Sequence, residues 1–396
     1  MCLRVLAVAA LLGATPAFAQ QDAGDDPDST AAQVELDNGI DWSVGLRGSY
    51  TSNSLTGGKP GLSLTPEVSL TLGGESSQTS FGSGAEVIVD GTGQARIADV
   101  HTGIEHSFKL SPSTLLESSI EGTLSQADRD STDLPVNTLH APLVFDSEAQ
   151  ASVTQDFGRF DGKLTLDGQR QSRTATTLDD LSTIDNTHQN FWQGGATLRL
   201  GYEVTPLLTV FAEGEASVQK FDAVDPALLV YLDGRRYELR GGVNYARGSV
   251  ISAEASIGRG WLDYIDASLV DQQSWVYNGS LTLRPDETLS LTAALETTLG
   301  PSEDVAGDTD AGYTLTGSAN YLVNPWVTLR GTANWDYTVT LGTGDVASGY
   351  GVGVGLDYRS SRHIVWTADY SFERENAPPT PQNDTHTVLL GVRVTR

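Results

Sequence analysis

The chain has 396 residues, 39% of them hydrophobic, with 24 basic against 51 acidic side chains and a formal charge of −27. That balance excludes a nucleic-acid binder, because phosphate backbones need a basic surface. A single cysteine, Cys2, excludes a disulfide scaffold and a thiolate metal cluster, and no stretch approaches the ~20 apolar residues of a spanning helix.

In chain order, the first element is a secretory signal over residues 1–19. Arg4 supplies positive charge, Val5 to Ala14 form a short apolar run, and Ala17-Phe18-Ala19 is an A-x-A cleavage site. Cys2 precedes the apolar run, so it is not a lipoprotein acylation site, and cleavage after Ala19 removes it. Residues 20–39 are polar and acidic, with Asp22, Asp25, Asp26 and Asp28. They read as a flexible periplasmic tail, and as the place where a periplasmic partner would be met.

From residue 40 to 396 the pattern changes to period two. One segment carries Trp192, Gly194, Ala196, Leu198, Leu200 and Tyr202 on one parity, and Gln193, Thr197, Arg199 and Glu203 on the other. Leu208, Val210, Ala212, Gly214, Ala216 and Val218 oppose Thr209, Glu213, Glu215 and Ser217. Leu289, Leu291, Ala293, Leu295 and Leu299 oppose Thr292 and Glu296. Val327, Leu329, Ala333, Trp335 and Tyr337 oppose Thr328, Arg330, Asn334 and Asp336; Ile364, Trp366, Ala368, Tyr370 and Phe372 oppose Thr367, Asp369 and Glu373. Each is a strand with one apolar and one polar face, in segments of roughly ten to thirteen residues. A one-residue slip would push charge into lipid, at about 2–4 kcal/mol for an Arg at the midplane, so register is strongly specified.

Tight turns fall at Ser111-Pro112, Phe157-Gly158, Thr205-Pro206, Arg247-Gly248, Pro285-Asp286, Asn324-Pro325 and Ser360-Ser361. Longer segments alternate with them at 127–144, 174–188, 221–235, 262–272, 301–311, 339–347 and 374–384. The pattern predicts an all-β fold: a transmembrane antiparallel up-and-down β-barrel of about eighteen strands, with sixteen as the alternative. An even count places both ends and every tight turn on the periplasmic side. Aromatic residues fall at strand ends on the apolar parity: Trp42 and Tyr50, Trp192 and Tyr202, Tyr237 and Tyr245, Trp275 and Tyr277, Tyr313 and Tyr321, Tyr350 and Tyr358. Rings with an apolar body and a polar tip prefer the headgroup layer, so these form the expected girdles.

The segments "LRLGYEVTPLLTVFAEGEASV" and "SANYLVNPWVTLRGTANWDY" share a scheme: a tyrosine ends one strand, a Thr-Pro or Asn-Pro turn follows, and an alternating strand returns. With the signal and the acidic tail, the mature chain resembles the beta-barrel porin families of Gram-negative outer membranes, in particular the beta-barrel porin 2 group. The resemblance implies an outer-membrane location, contact with lipid and lipopolysaccharide, passage through the barrel-assembly machinery, and no catalytic residues. One departure concerns the end: Val388, Leu390, Val392 and Val394 keep the outward row, but Arg396 stands where such barrels usually carry an aromatic.

No G-x-S-x-G, H-E-x-x-H or G-x-x-x-x-G-K-[ST] motif occurs, so no enzyme and no cofactor is expected. The row Gly349, Gly351, Gly353, Gly355 lies on alternate positions of a strand and reads as room on the lumen face, not as a phosphate loop. His101 and Glu105 share a parity, and His106 falls on the lipid parity; neither makes a metal site. The loop acids Asp128, Asp130 and Asp133, Asp179, Asp180 and Asp185, and Asp304, Asp308 and Asp310 miss EF-hand spacing and allow only loose Ca²⁺ association. The expected lumen lining is Arg199, Glu213, Glu215, Arg240, Glu254, Glu296, Arg330, Asp336, Asp369 and Arg393. Its acidic excess points to a passive, cation-preferring channel for small hydrophilic solutes. The alternative is an outer-membrane component or scaffold of a polysaccharide export system.

Overall fold

The computed structural model describes residues 39–396, except 56, 75, 92, 130–133, 136, 303–306 and 379–380. The predicted signal and all but the last residue of the tail lie outside these. The first half of the chain folds into β1 (Gly39–Asn53), β2 (Gly57–Gly73), β3 (Ser77–Asp90), β4 (Ala95–Ser111), β5 (Thr114–Gln126), β6 (Thr138–His140), β7 (Leu143–Asp156), β8 (Phe160–Arg173), β9 (Thr176–Leu178) and β10 (Thr183–Ile184). The second half supplies β11 (Phe191–Thr205), β12 (Leu208–Phe221), β13 (Gly234–Arg247), β14 (Ile251–Tyr264), β15 (Gln272–Leu283), β16 (Leu289–Pro301), β17 (Thr309–Asn324), β18 (Val327–Thr340), β19 (Val346–Arg359), β20 (Ile364–Asn376) and β21 (Asn383–Thr395).

Eighteen of these strands form one antiparallel sheet, each paired with its chain neighbour, and β21 closes the sheet on β1 from Ser43↔Thr395 to Asn53↔Thr385. The wall is a closed up-and-down barrel with the predicted eighteen strands. Its strands run from 12 to 17 residues, more than the about 9–11 that a tilted strand needs to cross hydrocarbon. No helix among the described residues is long and apolar enough to cross a membrane. Followed once round the wall, the pairing registers advance by about 22 residues, which sets a tilt of roughly 40° and a mean backbone radius of roughly 17 Å.

Turn chemistry explains one rim. Asn324 Oδ1 accepts from the N–H of Trp326 (2.9 Å) and Val327 (3.1 Å), and Asp286 Oδ1 accepts from Thr288 (2.8 Å) and Leu289 (3.0 Å). Both side chains mimic a backbone turn. Gly158 and Gly248 adopt φ of +82° and +53° in the two-residue reversals after Phe157 and Arg247, a region glycine enters at no steric cost. The other rim carries the longer connections, with two exceptions the sequence reading did not single out: 54–56 and 91–94 are as short as turns. The loops after β5 and β8 also hold structure of their own: β6, β9 and β10 pair as a small separate sheet.

The faces of the wall separate as the alternation requires. Ile120, Leu200, Leu239, Val354 and Leu390 expose their side chains on the outside, with Trp42, Tyr50, Trp192, Tyr321 and Tyr358 toward the ends.

Candidate functional site: the barrel interior

Three arcs of charge lie on the face opposite the apolar rows. The first spans β11–β14. Arg199 makes a bidentate pair with Glu254 at 2.8 Å on both nitrogens, reaching past two intervening strands, and its Nη1 lies 3.8 Å from Glu213. Arg240 donates to Glu213, and Arg236 donates to Glu215 at 2.6 Å; Glu238 sits 3.8 Å from both arginines. The Arg199 guanidinium also stacks 3.5 Å above the Phe211 ring. Phe211 is cross-strand from Gly201 and Gly242, and a side chain at Gly242 would collide with its ring. Bare Gly242 gives this inward aromatic its space.

The second arc spans β18–β21. Arg330, Gly355 and Asp369 are in register across three strands, so Arg330 reaches over the bare glycine to Asp369 at 2.7 Å, and to Asp357 at 2.9 Å. Arg393 approaches Asp357 at 3.9 Å. Side chains at Gly351 and Gly353 would press on Asn334 and Thr332, which puts the glycine row on this same face. Asp336 accepts from Thr314 (3.0 Å) and Asn334 (3.2 Å).

The third arc, β5–β8, is different. Its acids include Glu117, Glu121, Asp146, Glu148 and Asp167, and Lys163 pairs with Glu117 at 3.3 Å. Gln169 and Gln171 donate to Asp146 at 3.1 and 2.9 Å. Glu121 and Glu148 are direct cross-strand partners, an arrangement of like charges that destabilises a sheet.

The wall is also torn on the far side of the ring. β15 and β16 pair only from Gly279↔Leu295 to Leu283↔Leu291, while their other neighbours stay paired to Leu262↔Gln272 and Pro301↔Thr309. Beyond the tear, Thr297 Oγ1 accepts from the Tyr277 N–H (2.9 Å) and donates to the Tyr277 carbonyl (2.8 Å), and the Thr297 N–H donates to Asn278 Oδ1 (3.2 Å). The Tyr313 hydroxyl donates to the Trp275 carbonyl at 3.4 Å and lies 3.2 Å from Ser274 Oγ. Side chains thus take up the backbone groups the tear releases.

Leu299, expected to face lipid, is only 3% exposed and packs in a cluster with Leu262, Tyr264 and Ala311. A side chain at Gly260 would touch Leu299, Val276 and Glu238 together, so Leu299 lies on the lumen side of β14 and β15. The upper half of β16 is therefore tucked behind β15, and two layers of wall overlap. Tyr313, expected in a girdle, packs against this overlap. Burial of Leu262, Val276 and Leu299 contributes about 1.5–3 kcal/mol each, against about 1 kcal/mol for each backbone bond left unmade.

Of the expected lumen residues, Arg199, Glu213, Arg240 and Glu254 meet in the first arc, and Arg330, Asp369 and Arg393 in the second. Glu215 pairs with Arg236, which the sequence reading missed together with Glu238, Phe211 and the whole third arc. Parity alone marks Arg236, Glu238, Glu121, Glu148 and Asp167; Phe211 was hidden because an aromatic on the polar parity looks like an error. His101 bonds Asp99 at 2.7 Å, not Glu105, and His106 bonds Thr79 at 2.9 Å. Asp180 and Asp185 bind their own loop through Ser182 and Thr187; Asp130, Asp133 and Asp304 lie outside the described residues. Among the described residues no three His, Cys, Asp or Glu gather in a metal-holding group.

A closed eighteen-strand barrel with an apolar belt outside and charged arcs inside is a porin-like outer-membrane β-barrel. The family model described as "Putative beta-barrel porin 2" matches residues 45–396, and the chain belongs to that family. No curated protein matches. Among solved structures, OccK5 (OpdH) of Pseudomonas aeruginosa is 12% identical, with 90% of this chain and 98% of that one covered and a TM-score of 0.42. OpdK of the same organism, with vanillate, gives 10%, 90%, 99% and 0.42. The FrpB iron transporter of Neisseria meningitidis (F3-3 variant) is 8% identical with a TM-score of 0.43; 85% of this chain is covered, and the match spans 62% of the transporter's length.

Proposed function

We propose that this barrel is a passive channel for small hydrophilic solutes that prefers cations. The observation that carries the preference is the third arc. Of Glu117, Glu121, Asp146, Glu148 and Asp167, Glu117 pairs with Lys163, Asp146 is held by two glutamine amides, and Glu121 stands opposite Glu148 at a cost to the sheet. In the other two arcs the arginines spend their charge on neighbouring carboxylates. A permeating cation lowers the repulsion in the third arc, and an anion raises it. Outer-membrane lipid and lipopolysaccharide would meet the apolar belt, the assembly machinery would receive the strands, and the acidic tail would serve a periplasmic partner.

Liposome swelling tests this reading. Vesicles carrying the refolded chain should swell faster in lysine than in glutamate of equal osmolarity, with neutral sugars between. Equal rates for both amino acids would remove the charge preference. No swelling with any solute, from protein that migrates as a folded barrel on an unheated gel, would remove the channel and favour an export or scaffolding role.

A further inference from the structure

We propose that the upper half of β16 is a movable constriction: it moves between the tucked position behind β15 and a position zipped edge to edge with it. This rests on the channel reading above. Three features of the tear carry it.

First, the register survives. Continuing the ladder from Gly279↔Leu295 brings Tyr277 opposite Thr297, and these are the residues joined by the Thr297 hydroxyl. Closing the tear needs no slip, only exchange of the side-chain bonds for backbone ones. Second, the alternation fits both positions. In the zipped position Leu299 would fall opposite Trp275, continuing the outward row of Leu291, Ala293 and Leu295, so it would pass from an apolar cluster to lipid without meeting water. In the tucked position it covers Leu262 and Val276, apolar residues on the lumen parity that are 2% and 0% exposed. The strand carries a buried surface for each state, as a two-state element requires. Third, the displacement acts on the lumen. The tucked strand lies on the lumen side of β14 and β15, where Leu299 meets Gly260 and Val276, and zipping would draw it back into the wall. The barrel then sets its own aperture with a strand of its wall, not with a folded-in loop.

Cysteine pairs separate the two positions, because Cys2 is the chain's one natural cysteine. Gly260→Cys with Leu299→Cys joins residues that touch when β16 is tucked. Trp275→Cys with Leu299→Cys joins residues on opposite sides of β15 in the tucked position, which come face to face on zipping, within disulfide range. Both variants, checked for folding by unheated gel migration, are oxidised in bilayers and their single-channel conductance recorded. Both bridges are expected to form. The first should leave conductance near the native value, and the second should raise it by roughly twofold, reversed by reductant. A Trp275–Leu299 bridge that fails to form, or forms without changing conductance, overturns the movable wall while leaving the channel. Both bridges forming in a barrel that never conducts overturns the channel and leaves the movable wall.

Discussion

Leu239 sits between Glu238 and Arg240, and these three residues hold opposite environments on one strand. Leu239 is 61% exposed on the outside, while its neighbours join the inward arginine–glutamate arc. Leu239→Arg should therefore destabilise the barrel by about 2–4 kcal/mol in lipid, measured by equilibrium unfolding in urea from vesicles, although an arginine one position on is accommodated. Glu121 makes a contrasting case. Glu121→Gln relieves the repulsion with Glu148 and should stabilise the sheet by about 0.2–1 kcal/mol, yet lower the cation-to-anion permeability ratio by about twofold to fivefold. Stability and selectivity would move in opposite directions, which a residue kept only for packing would not show. These parities were legible because period two assigns a face from one strand alone. The partners were not: Arg199 meets Glu254 from three strands away, and register accumulates over each pairing between them.

Among the elements, strands and most turns could be read from alternation, Asx residues and proline, while the tear between β15 and β16 could not. Leu289, Leu291, Ala293, Leu295 and Leu299 share one parity with Thr297 as the single polar break, and one threonine in an apolar row does not mark Leu295 as the last paired residue. The tear depends on what lies behind it: bare Gly260, and apolar Leu262 and Val276 on the lumen parity. Thr297 is the test residue. Thr297→Val keeps the shape and removes the hydroxyl that serves both backbone groups of Tyr277. It should cost about 1–3 kcal/mol, seen as a lower temperature for loss of folded gel migration. The loop after β12 gives a pH prediction. Asp222 receives two bonds from Arg170, at 2.8 and 2.5 Å, and this pairing holds its carboxyl below the usual range. A depressed folded value contributes stability that is complete above the unfolded value of about 3.9 and lost as pH falls through the lower folded value. Protease sensitivity of loop 222–233 should thus be constant from pH 7 to 5 and rise only below about pH 4.

At the scale of the whole molecule, closure is the property on which the rest depends. The last strand lies along the first over its length, and Arg396 adds two clasps: its N–H donates to the Trp42 carbonyl at 3.1 Å and its guanidinium to the Ile40 carbonyl at 3.2 Å. That gives a structural use to an arginine where the sequence led one to expect an aromatic. Closure removes every free edge but the tear, and with the strand number it sets the width of the barrel. The strand number was legible because turn and loop spacing repeats along the chain; the small sheet in the loops was not, because β6, β9 and β10 are two or three residues each. The most direct measurement is single-channel recording of the refolded chain in a planar bilayer under a salt gradient. Discrete steps with a reversal potential displaced toward that of the cation are the predicted result. Steps that reverse at the anion's potential, or silence from protein shown to be folded and inserted, would contradict the account.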